Sequence, residues 1–368
     1  MRRRKFIKRT GVGITSIAIA GCSGGDDGSG DGGGGTATAE SGGDGGATAT
    51  VGDGTAGDTE SLETIEYLIP EGQLNIPVFF AGKDEGFWEE RGIDLVPRVV
   101  GYGRYARALT TGDKVIGNMN MSVFTTAREQ GENVVAIGGE QVDVTRTLAR
   151  TDSGVSGPPD FPDVTFGVPS FQAGNTLVQG SMIQDEYGID LREDIPDIVD
   201  TNAPALWQLM QSGEVDVGIQ FTGFSVQGMA SDDFEVVFDP LEYFRNQYDE
   251  DLMITFWGAD GEWLDGNEDV ALDFLDAVQE ATDYTLNNSE DVFDQYGRLT
   301  GMSGDDIDVY LELAEQGDAY LDSVESWNQD IIDAHFDLFE LLSEYEYIEA
   351  IPDKDDSTIT YDQLVEAA

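Results

Sequence analysis

The chain has 368 residues, 40% of them hydrophobic, enough for one large domain or two lobes of ordinary size. It carries 73 acidic against 19 basic residues, a net charge of −54, which repels nucleic acid and makes dense counter-ions, as in a salt-loving (halophilic) prokaryote, the expected surroundings. One cysteine, Cys22, and one histidine, His335, exclude an internal disulfide and remove thiol nucleophiles, Ser-His-Asp triads and His-rich metal sites as usual solutions.

Arg2, Arg3, Arg4, Lys5, Lys8 and Arg9 all precede Cys22, so the rest of the chain sets 13 basic residues against 73 acids, a net charge of −60. An apolar run over 11–20 follows, closing on Ile19-Ala20-Gly21-Cys22. Residues 1–22 therefore read as a twin-arginine export signal carried by Arg3 and Arg4, with a lipobox that makes Cys22 the lipidated residue. The apolar run is too short to span a bilayer comfortably. Residues 23–60 are Gly, Ser, Thr, Ala and Asp with almost nothing to bury, a predicted flexible tether whose 38 residues would reach about 35 Å.

From residue 64 the pattern alternates in the α/β manner. A strand is predicted over 65–69. Asn75 and Pro77 then open a helix whose apolar face is Ile76, Phe79, Phe80 and Phe87, with Gly92 as its stop. Strand 95–100, helix 102–111, strand 114–117, helix 121–130 and strand 134–138 follow. A connecting strand over 145–150 leads to a Gly- and Pro-rich stretch at 152–162, read as a lobe boundary. The scheme then repeats with strand 164–168, helix 175–187, strand 198–200, helix 204–212 and strand 215–220. Residues 253–258 carry the chain back, and 268–287, 289–299, 305–316, 326–346 and 361–368 are helical by periodicity.

The stretch 74–96 resembles the solute-binding proteins of ABC importers, the nitrate, sulfonate and thiamine-pyrimidine-precursor (taurine-binding-like) group, at Pro77, Ala81, Gly86, Phe87, Trp88, Gly92, Ile93 and Leu95. A second phrase of that group, A-L-x-x-G-x-V-D-x-G, is kept in register at 108–117 with departures at Lys114 and Ile116, and is matched more closely within 205–218. The resemblance implies a periplasmic-binding-protein-like type II α/β fold of two lobes, each a central sheet flanked by helices, joined by a hinge. Residues 61–151 and 253–368 would form one lobe and 152–252 the other. It further implies capture of a small anionic or heterocyclic solute by an exported monomer held by lipid on the outer face of the cytoplasmic membrane, and delivery to a permease with its ATPase. No cofactor or metal is expected, and no catalysis.

In such sheets ligands bind outside the carboxyl ends of strands, where helix starts point free N–H groups. That rule selects Asn75, Tyr102, Arg104, Ser122, Phe171, Gln172, Asn175, Asn202, Gln220 and Thr222, with Phe79 and Trp257 as apolar walls. Asn75, Ser122, Asn202 and Thr222 equally suit helix caps, Phe79 suits a core, and Arg104 suits an ordinary surface. His335, on a late amphipathic helix, reads as structural. Phe221-Thr222-Gly223-Phe224 stands where the group often has Glu-Pro or Trp-x-Pro, which leaves the solute open. Two other classes remain: an enzyme of the same fold resembling the pyrimidine synthases, which need a His- and Cys-rich iron site, or a surface scaffold with a degenerate cleft. Cys22→Ala is expected to release the protein into the medium, measured by fractionation; continued membrane attachment contradicts the lipid anchor.

Overall fold

The structure, a computed structural model, describes residues 62–368 apart from 113 and 322. The expected signal, the lipidation site and the tether lie outside the described residues. Strand β1 (Glu63–Pro70) and strand β2 (Ile93–Val100) pair in parallel, from Glu63↔Ile93 to Pro70↔Val100. Between them helix α1 (Ile76–Glu85) lays Ile76 and Phe79 into the core, and Phe79 stacks on Tyr67 with ring centroids 4.3 Å apart.

Helix α1 ends at Gly86, six residues before the expected stop. Gly86 adopts φ 87°, its N–H reaches the carbonyls of Gly82 and Lys83, and Phe87 N–H returns to Gly82. That left-handed C-cap is inexpensive only for glycine. Gly92 closes the separate short turn Glu89–Arg91 instead.

Helix α2 (Tyr102–Thr110), strand β3 (Ile116–Met119), helix α3 (Met121–Glu129) and strand β4 (Val134–Val142) continue the alternation. The chain then crosses to strand β5 (Thr147–Arg150), strand β6 (Phe166–Val168), helix α4 (Gly174–Tyr187), strand β7 (Ile198–Asp200), helix α5 (Ala203–Ser212) and strand β8 (Val217–Ile219). Helix α6 (Thr222–Met229), strand β9 (Phe234–Phe238) and helix α7 (Pro240–Tyr248) follow, and strand β10 (Met253–Asp260) returns. The rest is helical: α8 (Gly261–Leu264), α9 (Glu268–Asn287), α10 (Ser289–Tyr296), α11 (Asp305–Glu315), α12 (Gln329–Glu344), α13 (Lys354–Ser357) and α14 (Tyr361–Ala367).

Two halves share one strand order. The second half is a five-stranded sheet β7-β6-β8-β5-β9, with β5 antiparallel to β8 and β9. In the first half β10 runs antiparallel between β3 and β4, and β1, paired with β2, packs beside β3. Each half therefore takes its antiparallel strand from a chain arriving out of the other. The strand expected merely to connect, 145–150, is a full member of the second sheet, through Thr147↔Ile219 and Ala149↔Glu235. The repeated phrase falls at matching places, α2 to β3 and α5 to β8, and turns at Gly112 (φ 65°) and Gly213 (φ 77°).

The late helices pack on both halves: α9 lies on α1, α11 against α6 and α12 against α4. The α1–α9 contact is tight enough to be tested. A Cβ on Gly82 would stand 2.5 Å from both Ala281 Cβ and Trp88 Cζ3, so Gly82→Ala is expected to lower unfolding free energy by about 1–3 kcal/mol through overpacking. A denaturation midpoint unchanged in Gly82→Ala contradicts that packing.

Candidate functional site

Asn75 precedes α1, yet its side chain does not cap the helix. It is 1% exposed and its Nδ2 donates to Glu140 Oε1 at 2.5 Å. Tyr67 O–H donates to the same oxygen at 2.6 Å, and Asn118 Nδ2 donates to Oε2. Trp257 Nε1 donates to the Tyr67 hydroxyl at 3.2 Å, while Tyr105 O–H donates to the Asn118 Oδ1 and backbone carbonyl, each at 2.8 Å. Asn75, Phe79 and Trp257 thus converge around Tyr67 and Glu140, two residues the sequence reading did not select. Burial pushes the Glu140 carboxyl up to about 7, against the pull of its donors, and raises the Tyr67 hydroxyl well above its usual range.

A second group sits where loops of the two halves meet. Ser122 Oγ donates to the Gln172 carbonyl at 3.1 Å. A Cβ on Gly174 would stand 3.4 Å from Asn120 Cγ, and Asn120 Nδ2 donates to the Tyr102 hydroxyl at 3.2 Å. The Tyr102 ring lies 6.5 Å from that of Phe221. Gly223 faces the Gly72 and Thr300 carbonyl oxygens, which a Cβ there would approach to 3.4 and 3.5 Å. Asn175 Nδ2 donates to the Gln220 backbone carbonyl at 3.0 Å, and buried Thr222 opens α6.

The helix starts here differ in how they are satisfied. Asn120 caps α3 through Val123 N–H, whereas α2, α4 and α6 have no side-chain cap. Their first-turn N–H groups are the kind that hold an anionic or carbonyl oxygen.

The remaining candidates are placed differently. Phe171 is partly buried against the core. Asn202 caps α5 by accepting from Ala205 N–H at 3.1 Å and has no hydrogen bond to the other candidates among the described residues. Arg104 is exposed and, with Arg107, Ala108, Lys114 and Leu68, lines a cavity of about 390 Å³. His335 is buried and fully engaged: Nε2 accepts from Met253 N–H at 2.9 Å, which leaves Nδ1 to donate to the Ile331 carbonyl at 2.7 Å. Burial lowers its pKa to about 4, so the ring is neutral.

The two crossings between halves lie side by side, with Asp143 N–H donating to the Leu252 carbonyl at 2.7 Å. Arg146, 3% exposed, holds the Asp143 and Thr145 carbonyls and pairs with Asp239 at 2.8 Å. No helix among the described residues is long and apolar enough to cross a membrane.

The fold is the periplasmic-binding-protein fold, and solved structures share it. The aliphatic sulphonate binding protein SsuA of Escherichia coli is 16% identical, with a TM-score of 0.64 over 80% of this chain and 92% of that one. The alkanesulfonate-binding SsuA of Xanthomonas axonopodis pv. citri, bound to MOPS, is 11% identical with a TM-score of 0.62 over 81% and 98%. The desulfurization enzyme DSZB is 14% identical with a TM-score of 0.57 over 83% and 98%. A family model described as NMT1/THI5 like matches residues 73–292, more than half of the sequence, and the chain belongs to that family. No curated protein matches the chain in sequence.

The buried carboxyl has a consequence for pH. Its pKa rises from 4.5 to about 7 on folding, so the folded protein keeps a proton that the unfolded chain releases in that window. The stabilisation from this group is full below about pH 4.5 and is lost as pH rises to about 7. In constant molar salt the urea midpoint should fall more between pH 5 and 7 for the unaltered protein than for Glu140→Gln. Equal slopes contradict the placement of this carboxyl.

Proposed function

We propose that the chain is the extracytoplasmic solute-binding component of an ABC importer, exported and held by lipidated Cys22, acting as a monomer that hands a small solute to its permease. The observation that carries this reading is the junction itself. Segments from both halves meet at the carboxyl ends of β2, β3, β6 and β8, where Ser122 Oγ donates to the Gln172 backbone carbonyl and the Tyr102 ring lies beside that of Phe221. A solute held there touches both halves at once, so it stabilises the closed arrangement over any open one by its differential affinity. The paired crossings at Asp143 and Leu252, braced by Arg146, form the hinge. The half containing β6 to β9 moves against the half containing β1 to β4.

The solute classes in play are a sulfonate, a nitrate-like anion and a pyrimidine precursor. For an anionic solute we take Arg104 as the contact; it is exposed at the start of α2 and lines a cavity with Arg107 and Lys114. An enzymatic reading has a relative in the desulfurization enzyme of the same fold, but an iron-dependent route would need His and Cys ligands. The single His335 already has both ring nitrogens occupied.

Thermal shift in high salt against sulfonates, nitrate, bicarbonate and pyrimidine precursors tests the reading. A true solute at 100 times its dissociation constant adds about 2.7 kcal/mol of stability, and for an anionic solute Arg104→Ala weakens that gain. Turnover of a bound compound would favour an enzyme, and silence across the panel a scaffold.

A further inference from the structure

We propose that the cavity beside α2 is a second binding site, separate from the junction, for a phosphate monoester gripped by Arg104, Arg107 and Lys114. It goes beyond solute capture and stands whether or not a solute binds between the halves. The cavity holds about 390 Å³, and its lining comes from one half: Leu68 of β1, Arg104, Arg107 and Ala108 of α2, and Lys114 just before β3. Nothing from β5 to β9 lines it among the described residues, so filling it requires no closure.

Its charge runs against the rest of the molecule. The larger cavity, about 580 Å³, is lined by Asp265, Glu268, Asp355, Asp356 and Glu366, as a net charge of −54 leads one to expect. Among the described residues no acid lines the cavity beside α2. Nine of the 13 basic side chains that follow Cys22 pair with a carboxylate. Lys114 is one, 2.5 Å from Glu66 Oε2, but Glu66 is shared, with Arg98 at 2.5 Å from its other oxygen. Arg104 and Arg107 pair with no carboxylate and donate no side-chain hydrogen bond among the described residues. In a chain with 73 acids, two unpaired arginines and a half-neutralised lysine around one cavity leave the place of an anion open.

Residues three and four apart share a helix face, and like charges at that spacing oppose each other. Arg104 and Arg107 stand in that relation, and an anion between them turns the repulsion into attraction. A guanidinium fork meets two oxygens of a phosphate at once, while an ammonium such as that of Lys114 adds a point charge. The two negative charges of a monoester engage more than one cation, where nitrate or a sulfonate offers one. The volume falls within the roughly 300–1,000 Å³ of small-molecule pockets, and Leu68 and Ala108 supply apolar surface for a carbon skeleton. The ester is a free metabolite or the headgroup of a lipid, and the group recognised is the same.

The full chain carrying Cys22→Ala, in molar potassium chloride, tests this in two arms. Calorimetry compares glycerol 3-phosphate with glycerol, and co-sedimentation compares phosphatidylcholine vesicles with and without phosphatidic acid. Glycerol 3-phosphate that binds at least about tenfold tighter than glycerol, and about tenfold weaker in Arg107→Ala, supports the site with a free ester as its ligand. Sedimentation with phosphatidic acid alone, lost in Arg107→Ala, supports it with the lipid as the source. Arg104 is shared with the solute reading, so Arg107 is the residue altered. If Arg107→Ala does not fold, Arg107→Lys, which keeps the charge and loses the fork, should still bind more weakly than the unaltered side chain. No binding in either arm overturns the proposal, as does binding undiminished by both Arg107 variants. An ester that shortens the distance between labels placed one on each half belongs to the junction and overturns it too.

Discussion

Each half of this fold is completed by a strand delivered from the other. β5 enters the second sheet antiparallel to its neighbours straight after β4, and β10 enters the first in the same way after α7. Each sheet is completed through one of the two crossings. The crossings are hydrogen-bonded to each other where they pass, at Asp143 and Leu252, which makes a short double span between the halves, and α11 and α12 also pack on α6 and α4. A pair of bodies tied in that way can move about the span while the loops opposite it part and meet.

The polar chemistry of the molecule is concentrated next to that span. Glu140 lies near the end of β4, and its carboxyl gathers Tyr67 from β1, Asn118 from β3 and Asn75 from the loop before α1. Trp257 from β10 closes the set through Tyr67. A carboxyl withdrawn from water is unfavourable unless its lone pairs are filled, and here donors from three segments fill them. The same arrangement fixes the Asn75 amide with its nitrogen inward. One buried acid therefore links strand order, loop position and the orientation of the Asn75 amide.

Much of this was legible in the sequence, because α/β alternation, helix starts and the repeated phrase are local signals. Gly112 and Gly213 turn the chain at matching places in both halves, and the rule that ligands sit beyond strand ends selected Tyr102, Ser122, Gln172 and Asn175, which lie on segments after strands of both sheets. Glu140 was not among them, since one more acid among 73 carries no positional signal. It stands beside Gln141 near the end of β4, past the 134–138 stretch read as strand from the sequence. α1 was read too long because Phe87 continues its apolar spacing past Gly86, and the left-handed cap there is a backbone property. α6, β9 and α7 were left unassigned; α6 is buried on more than one side and so shows little amphipathic period.

The central claim is that the halves move about the double span and close on a solute. Glu129 on α3 and Gln208 on α5 are exposed, one on each half, and Cys22 is the only cysteine. Spin labels at Glu129→Cys and Gln208→Cys, in a Cys22→Ala background, report the separation directly by pulsed electron resonance. The account predicts a broad distance distribution without solute that narrows and shortens when a binding solute saturates the protein. One distribution, unchanged with and without a solute that calorimetry shows to be bound, would contradict it.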